Sequence, residues 1–123
     1  MCIKKRRTDK IRLCCDLRAI NSIIISDEYP MVNFTELIDT AAGARYVSTI
    51  DLKSAYHQIK MAEDSKHFTG FRNFRRHWMW NKMCFGLKYV SKTFQRLMDK
   101  VLRGAEKYAN SHQDDIIITR HMV

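Results

Sequence analysis

Three aspartates stand where β-branched runs begin or end. Asp51 closes the run Tyr46-Val47-Ser48-Thr49-Ile50, and Asp114 and Asp115 open the run Ile116-Ile117-Ile118-Thr119. A carboxylate beside a buried strand is costly unless it is paired or holds a cation. Three of them drawn from two neighbouring strands would concentrate negative charge in a chain whose net charge is +9. Such a site suits hard divalent cations, which take oxygen ligands. Two cations about 3.5–4 Å apart can activate an attacking oxygen and steady a leaving one in phosphoryl transfer. Successive strand residues face opposite ways, so Asp114 and Asp115 serve one site only if a hairpin bend lies there. The same residues also fit a plainer role, because Asp-Asp is a common turn and Asp51 can simply end a strand.

The elements that must position these groups are legible in outline. Ile11 to Leu17 reads as a strand and Asn21 to Pro30 as irregular, with Pro30 disfavouring helix just before it. Asn33 is an N-cap with Glu36 three residues on, as in a capping box, and Val32 and Leu37 are spaced for a hydrophobic staple. Gly43 suits the helix exit, and Arg45 to Ile50 reads as the strand that carries Asp51. Phe71 to Phe85 is aromatic-rich and predicts two strands around a turn near Arg75-Arg76. The spacing of Phe94, Leu97, Met98, Val101 and Leu102 predicts a helix over Lys92 to Arg103, capped by Ser91 and ended by Gly104. Helices and strands are therefore mixed, with antiparallel pairings expected. This is an α+β class, a sheet with helices on one face.

Composition bounds the reading. At 123 residues, 46% apolar and 28% charged, the chain has the make-up of a globular domain with a modest core. With 22 Lys+Arg against 13 Asp+Glu it attracts polyanions, nucleic acid first among them, although a solvated basic surface is the plainer alternative. No apolar run reaches the length of a membrane span, and the basic start of the chain is not followed by the apolar core of a signal peptide. Cys2, Cys14, Cys15 and Cys84 form no CxxC pair and have no histidine at zinc-finger spacing. Reduced, buried thiols in an intracellular chain are the expectation, without structural zinc.

Five segments in order resemble the reverse-transcriptase domain of gypsy-type LTR retrotransposons and related retroviral Pol polyproteins. The first is Ile11-Arg12-Leu13-Cys14-Cys15-Asp16-Leu17-Arg18-Ala19-Ile20-Asn21, similar to R-x-x-x-D-[FY]-R-x-L-N. The second is Asp27-Glu28-Tyr29-Pro30, similar to D-x-Y-P. The third, Ser48-Thr49-Ile50-Asp51-Leu52-Lys53-Ser54-Ala55-Tyr56-His57-Gln58-Ile59, resembles F-S-x-[IL]-D-L-x-S-[GA]-[YF]-H-Q-I. The fourth is Met83-Cys84-Phe85-Gly86-Leu87 followed by Thr93-Phe94-Gln95-Arg96-Leu97-Met98, and the fifth is Gln113-Asp114-Asp115-Ile116, like the end of Y-x-D-D-I. The third and fourth are long and specific, and the set spans nearly the whole chain.

The resemblance implies the fingers and palm of a polymerase, incomplete, with an antiparallel palm sheet. Residues 1–45 would be finger, and 46–123 mostly palm with a finger insertion near 62–85. It implies that Asp51, Asp114 and Asp115 are the catalytic, metal-binding triad, with Asp51 and Asp114 carrying two Mg²⁺ ions (or Mn²⁺) and Asp115 nearer the edge. Tyr56 would be the steric gate against the 2′-OH of an incoming nucleotide; by itself it reads as a core aromatic. Arg12 and, in the basic arm, Lys5 would hold the triphosphate, with Lys4 or Arg6 as substitutes for Lys5. Phe85 and Gly86 would line the nucleotide and template pocket, and Gln95 falls where the family keeps a polar helix residue. The partners implied are an RNA or DNA template–primer, dNTPs and further polyprotein domains, with no membrane. The reaction implied is attack of a primer 3′-OH on a dNTP α-phosphate.

The sequence also departs from the pattern. His112 stands where the family has Tyr, Cys84 where it has Pro, Tyr89-Val90-Ser91-Lys92 where it has N-A-P-A, and Arg76 where a hairpin Gly is usual. A Gly-to-Arg change in that turn predicts strain if the backbone needs φ > 0. The family's thumb and RNase H fall outside these 123 residues. The chain reads as a fragment or remnant of a retroelement polyprotein, either polymerase sequence or an inactive, basic nucleic-acid binder.

Overall fold

The computed structural model describes residues 2–4, 11–25 and 27–121. The chain forms two compact units, one from residues 1–26 and 56–90, the other from 27–55 and 91–123.

The second unit is built on a three-stranded antiparallel sheet. Its strands are β3 (Tyr46–Asp51), β6 (Ala109–His112) and β7 (Asp115–Arg120), in the order β3-β7-β6. β7, rich in β-branched residues that suit a pleated sheet, is central. It pairs with β3 from Tyr46↔Arg120 to Asp51↔Asp115 and with β6 from Ala109↔Ile118 to His112↔Asp115. β3 is the outer strand and all six of its residues are exposed. The expectation that Asp51 adjoins a buried strand is therefore corrected: its strand is solvated and its carboxylate is not forced to seek a partner by burial.

Helix α2 (Phe34–Ala42) packs on β6 and β7 and buries Leu37. Asn33 caps it as expected, its Oδ1 accepting the Thr35 N–H at 3.0 Å. Gly43 ends it at φ −91°, so the exit does not use glycine's freedom. Helix α3 (Val90–Val101) begins two residues earlier than the spacing predicts, and Ser91 lies inside its first turn instead of capping it. Its buried face is also shifted. Val90, Phe94, Gln95 and Met98 are buried, while Leu97 and Val101 are exposed. An apolar stripe marks the general side of a helix, but the packed face is chosen by what lies opposite, and here that includes a polar residue. The helix ends at Val101, two residues before the expected Arg103, and Gly104, at φ +90°, lies in the turn that follows.

In the first unit, β1 (Cys2–Lys4) pairs antiparallel with β2 (Ile11–Leu13). β2 stops four residues short of the expected Leu17. The Asp16 carboxylate instead takes the Arg18 backbone N–H at 3.2 Å and its guanidinium at 2.6 Å, which holds the carboxyl pKa down to about 2. That local turn leads into α1 (Arg18–Ile23), a helix where irregular chain was expected. Strands β4 (Phe71–Arg72) and β5 (His77–Trp78) form the predicted hairpin. Arg76 is not among the residues with positive φ, and Asn73 Oδ1 accepts the N–H groups of both Arg75 and Arg76, so the anticipated strain is absent. Trp80 Nε1 donates to Cys15 Sγ at 3.2 Å, and burial, then the neighbouring Cys15, pushes the Cys84 thiol up to about 11. The family proline is thus replaced by a buried, protonated thiol.

Thr119, next to last in β7 and 2% exposed, has a hydroxyl with no hydrogen-bond partner among the described residues. An unpaired buried polar group costs roughly 1–3 kcal/mol. Valine has the same shape without that cost, so Thr119→Val is expected to stabilise the fold by about 1 kcal/mol, a rise of roughly 4 °C in Tm. Thermal denaturation followed by circular dichroism checks it; an unchanged or lowered Tm means the hydroxyl is satisfied.

Candidate active site

The register brings two of the three expected carboxylates together. Asp51 and Asp115 are Cα partners on adjacent antiparallel strands. Directly opposed residues of such a pair share one face, with Cβ atoms about 4.5–5.5 Å apart. Like charges placed this way repel, and neither carboxylate forms an ion pair among the described residues. An opposed pair of carboxylates open to solvent offers oxygen ligands of the kind that divalent cations take.

Asp114 lies in the turn itself. It occupies the second place of the two-residue turn Gln113-Asp114 between β6 and β7, half-buried, and its carbonyl accepts the Leu52 N–H at 2.9 Å. The turn thus provides the hairpin bend that an Asp-Asp pair needs. Asp115, not Asp114, is the register partner of Asp51. No group of three or more His, Cys, Asp or Glu side chains among the described residues is disposed to hold a metal ion. The side chains present an opposed pair with the third aspartate at the turn beside it.

Backbone conformation at this corner is unusual. Gln113 has φ 55° and Ser54, just past β3, has φ 53°; among the described residues these are the two non-glycine positions with positive φ. Such conformations cost of order 1–3 kcal/mol each and concentrate at functional sites.

What holds the hairpin is Gln95, 1% exposed on α3. Its Nε2 donates to Ser111 O at 3.2 Å, to Ser111 Oγ at 3.2 Å and to Asp99 Oδ1 at 2.9 Å. Its Oε1 accepts the Gln113 N–H at 3.4 Å. Asp99 is fixed in turn by the Tyr29 hydroxyl, which donates to Oδ2. That bond raises the Tyr29 pKa, so the phenol stays a donor. Arg96 lies 4.7 Å from the centre of the Tyr29 ring and reaches Asp27 at 2.6 Å, while Lys92 donates to the Asp27 carbonyl at 2.5 Å. The Asp27-Glu28-Tyr29-Pro30 motif is therefore a strap on α3. Sequence reasoning quoted Gln95 and this motif but missed what they do. The available signal was one polar residue beside Phe94 on an otherwise apolar helix face.

Tyr56, Phe85 and Gly86, expected from the resemblance to line a nucleotide pocket, lie in the first unit. The rings of Tyr56 and Phe85 meet edge to face at 5.4 Å, and Phe85 meets His57 at 5.0 Å. His57, without an assigned role from sequence, stacks on Trp80 and its Nδ1 lies 3.0 Å from Met83 O, which makes it structural. Gly86 adopts φ +96°, open to glycine and rarely to other residues. Asn21 clamps this turn, donating to Gly86 O at 2.7 Å and accepting the Lys88 N–H at 2.9 Å. Arg12 lies in β2 opposite Ile3; its side chain and Lys5 fall outside the described residues. At the tyrosine-to-histidine departure, His112 keeps an aromatic contact, 5.7 Å from Phe34, and its Nδ1 lies 3.0 Å from Val32 O.

Comparison with known proteins places the chain in a family. The family model described as "Reverse transcriptase (RNA-dependent DNA polymerase)" matches residues 3–122. The chain is 39% identical over 111 residues to a retrovirus-related Pol polyprotein from transposon 297 of Drosophila melanogaster, covering 89% of this chain and 10% of that protein. It is 35% identical over 114 residues to the enzymatic polyprotein of figwort mosaic virus, covering 93% and 17%. Among solved structures, a foamy viral protease-reverse transcriptase in complex with double-stranded DNA superposes with a TM-score of 0.86 at 19% identity, over 98% of this chain and 21% of that one. The chain thus spans a small part of the proteins it matches, and over that part it belongs to the reverse transcriptase (RNA-dependent DNA polymerase) family.

Proposed function

We propose that this chain supplies the nucleotidyl-transfer site of an RNA-directed DNA polymerase. The observation that carries the proposal is the Asp51↔Asp115 register, with Asp114 at the adjoining turn. Three of the similar solved structures are foamy viral protease-reverse transcriptases in complex with double-stranded DNA or an RNA/DNA hybrid, which supports a template–primer as the partner here. In this reading Asp51, Asp115 and Asp114 hold divalent cations, Mg²⁺ or Mn²⁺. When bound, the cations lower the cost of the attacking primer 3′-OH losing its proton and offset charge on the departing pyrophosphate. The strands keep the paired carboxylates facing one way, and the Gln95 amide keeps the hairpin from shifting. Tyr56, braced by Phe85, sets the shape of the sugar pocket and disfavours a 2′-OH. Gly86 lets the backbone approach the nucleotide, and Arg12 and Lys5 grip its triphosphate through charge-assisted hydrogen bonds.

Primer extension on an RNA template with Mg²⁺ tests the reading. Asp51→Asn and Asp115→Asn are each expected to cut the rate by at least about a hundredfold, because each removes an anionic cation ligand. Extension that survives both substitutions would falsify the proposed site.

The clamp predicts a graded effect. Gln95→Met keeps the volume and removes all the hydrogen bonds to the hairpin. Residues that support metal ligands typically contribute 10–100-fold to metal affinity, so Mn²⁺ affinity measured by electron paramagnetic resonance should weaken by about tenfold. Amide exchange at Gln113–Asp115 should accelerate in the same variant. Asp99→Asn, which retains an acceptor for the Gln95 amide, should stay near the parent. Equal Mn²⁺ affinity in Gln95→Met and the parent would show that the clamp does not position the carboxylates.

A further inference from the structure

The tip of the β4–β5 hairpin has the chemistry of a nucleic-acid contact separate from the carboxylate site. Residues 72–79 are all exposed, and Phe74, at 91%, stands almost wholly in solvent. Exposing a phenyl ring in this way sacrifices the burial a phenylalanine normally gains. The tip is nevertheless firmly shaped. Asn73 Oδ1 accepts two backbone N–H groups, at 3.0 Å from Arg75 and 2.8 Å from Arg76, and the Asn73 N–H donates to Arg76 O at 3.0 Å. The Arg75 guanidinium lies 5.3 Å from the centre of the Phe74 ring. Trp78, 46% exposed, follows on β5.

The charge around this ring is of one sign. No Asp or Glu occurs between Asp64 and Asp99. The guanidiniums of Arg72, Arg75 and Arg76 form no ion pair among the described residues. A ring held outward among uncompensated guanidiniums offers a base a face to stack on and offers phosphates charge-assisted partners. An acidic protein surface would use the charges but leave a lone, fully solvated ring without a pocket. A duplex would engage the arginines but hide its base faces from the ring. An unpaired strand uses both.

We propose that the Asn73–Arg76 tip binds single-stranded nucleic acid, with Phe74 stacking on a base and Arg75 and Arg76 contacting flanking phosphates. This goes beyond the polymerase reading and does not depend on it, since the contact needs neither cation nor carboxylates.

Fluorescence anisotropy of a labelled twelve-nucleotide oligo(dT) with the 123-residue chain, in EDTA at low salt, tests it. Phe74→Ala is expected to weaken binding by about tenfold, and Phe74→Trp to retain it, because stacking on an aromatic ring is sequence-tolerant. The pair Arg75→Ala/Arg76→Ala should lower the slope of log K against log salt by roughly 1.4, two phosphate contacts on a single strand. Binding is expected to persist in EDTA, where no divalent cation bridges the carboxylates, which separates this site from the carboxylate pair. Parent-like binding by both Phe74→Ala and the double arginine variant overturns the proposal, as does absence of binding by the parent. So does a preference for duplex that Phe74→Ala leaves intact. The thermal transition of each variant serves as the folding control, and these exposed side chains leave the core untouched.

Discussion

A single buried amide organises the unit that carries the three aspartates. Gln95 is among the most buried side chains of the protein and the one with the most polar atoms to satisfy. A primary amide in a core is costly unless its donors and acceptor are matched. Here the match is made by the strand end that precedes the aspartates, by the turn itself, and by Asp99 on the same helix. The cost of leaving any of these groups unpaired fixes the hairpin's position over the helix. Apolar packing alone could not do this with comparable precision, because dispersion contacts tolerate sliding while a hydrogen bond weakens within a few tenths of an ångström.

That constraint extends outward through charge. Asp99 must point at Gln95, and the Tyr29 hydroxyl holds it there, while the Arg96 guanidinium lies over the Tyr29 ring and against Asp27. The segment before α2 is therefore coupled to the segment that carries Asp114 and Asp115, although the two are distant in sequence. At this same hairpin end of β7 the pairing with β3 sets the opposed carboxylates, and Gln113 and Ser54 carry backbone strain on either side of them. Binding of a cation between opposed carboxylates would relieve the repulsion that the register imposes. The strain and the repulsion are the kind of local cost that a purely structural sheet corner would have no reason to retain.

The departures from the family pattern are absorbed by local chemistry. Arg76 sits in a turn whose backbone is satisfied by Asn73 and does not need a glycine. Cys84 fills a buried position with its thiol protonated by desolvation. His112 retains an aromatic edge against Phe34. Among the described residues, none of the three leaves a buried polar side-chain atom without a hydrogen-bond partner.

The sequence by itself determined the family through ordered motifs, the Asn33 cap, the β4–β5 hairpin, the strand leading into Asp51 and the identity of the aspartates. These are local signals: capping, turn chemistry and side-chain alternation act within a few residues. Only the tertiary structure decided which aspartate faces Asp51, because a register is a relation between strands distant in sequence, and a shift of one residue would have exchanged Asp114 for Asp115. It also decided the buried face of α3, where Gln95 displaces Leu97 and Val101 because the partner across the interface is a hydrogen-bonding hairpin. The short helix Arg18–Ile23 was hidden for a related reason: the Asp16–Arg18 turn that leads into it outweighs a weak helical pattern, and Asn21 on that helix grips a turn 65 residues further along.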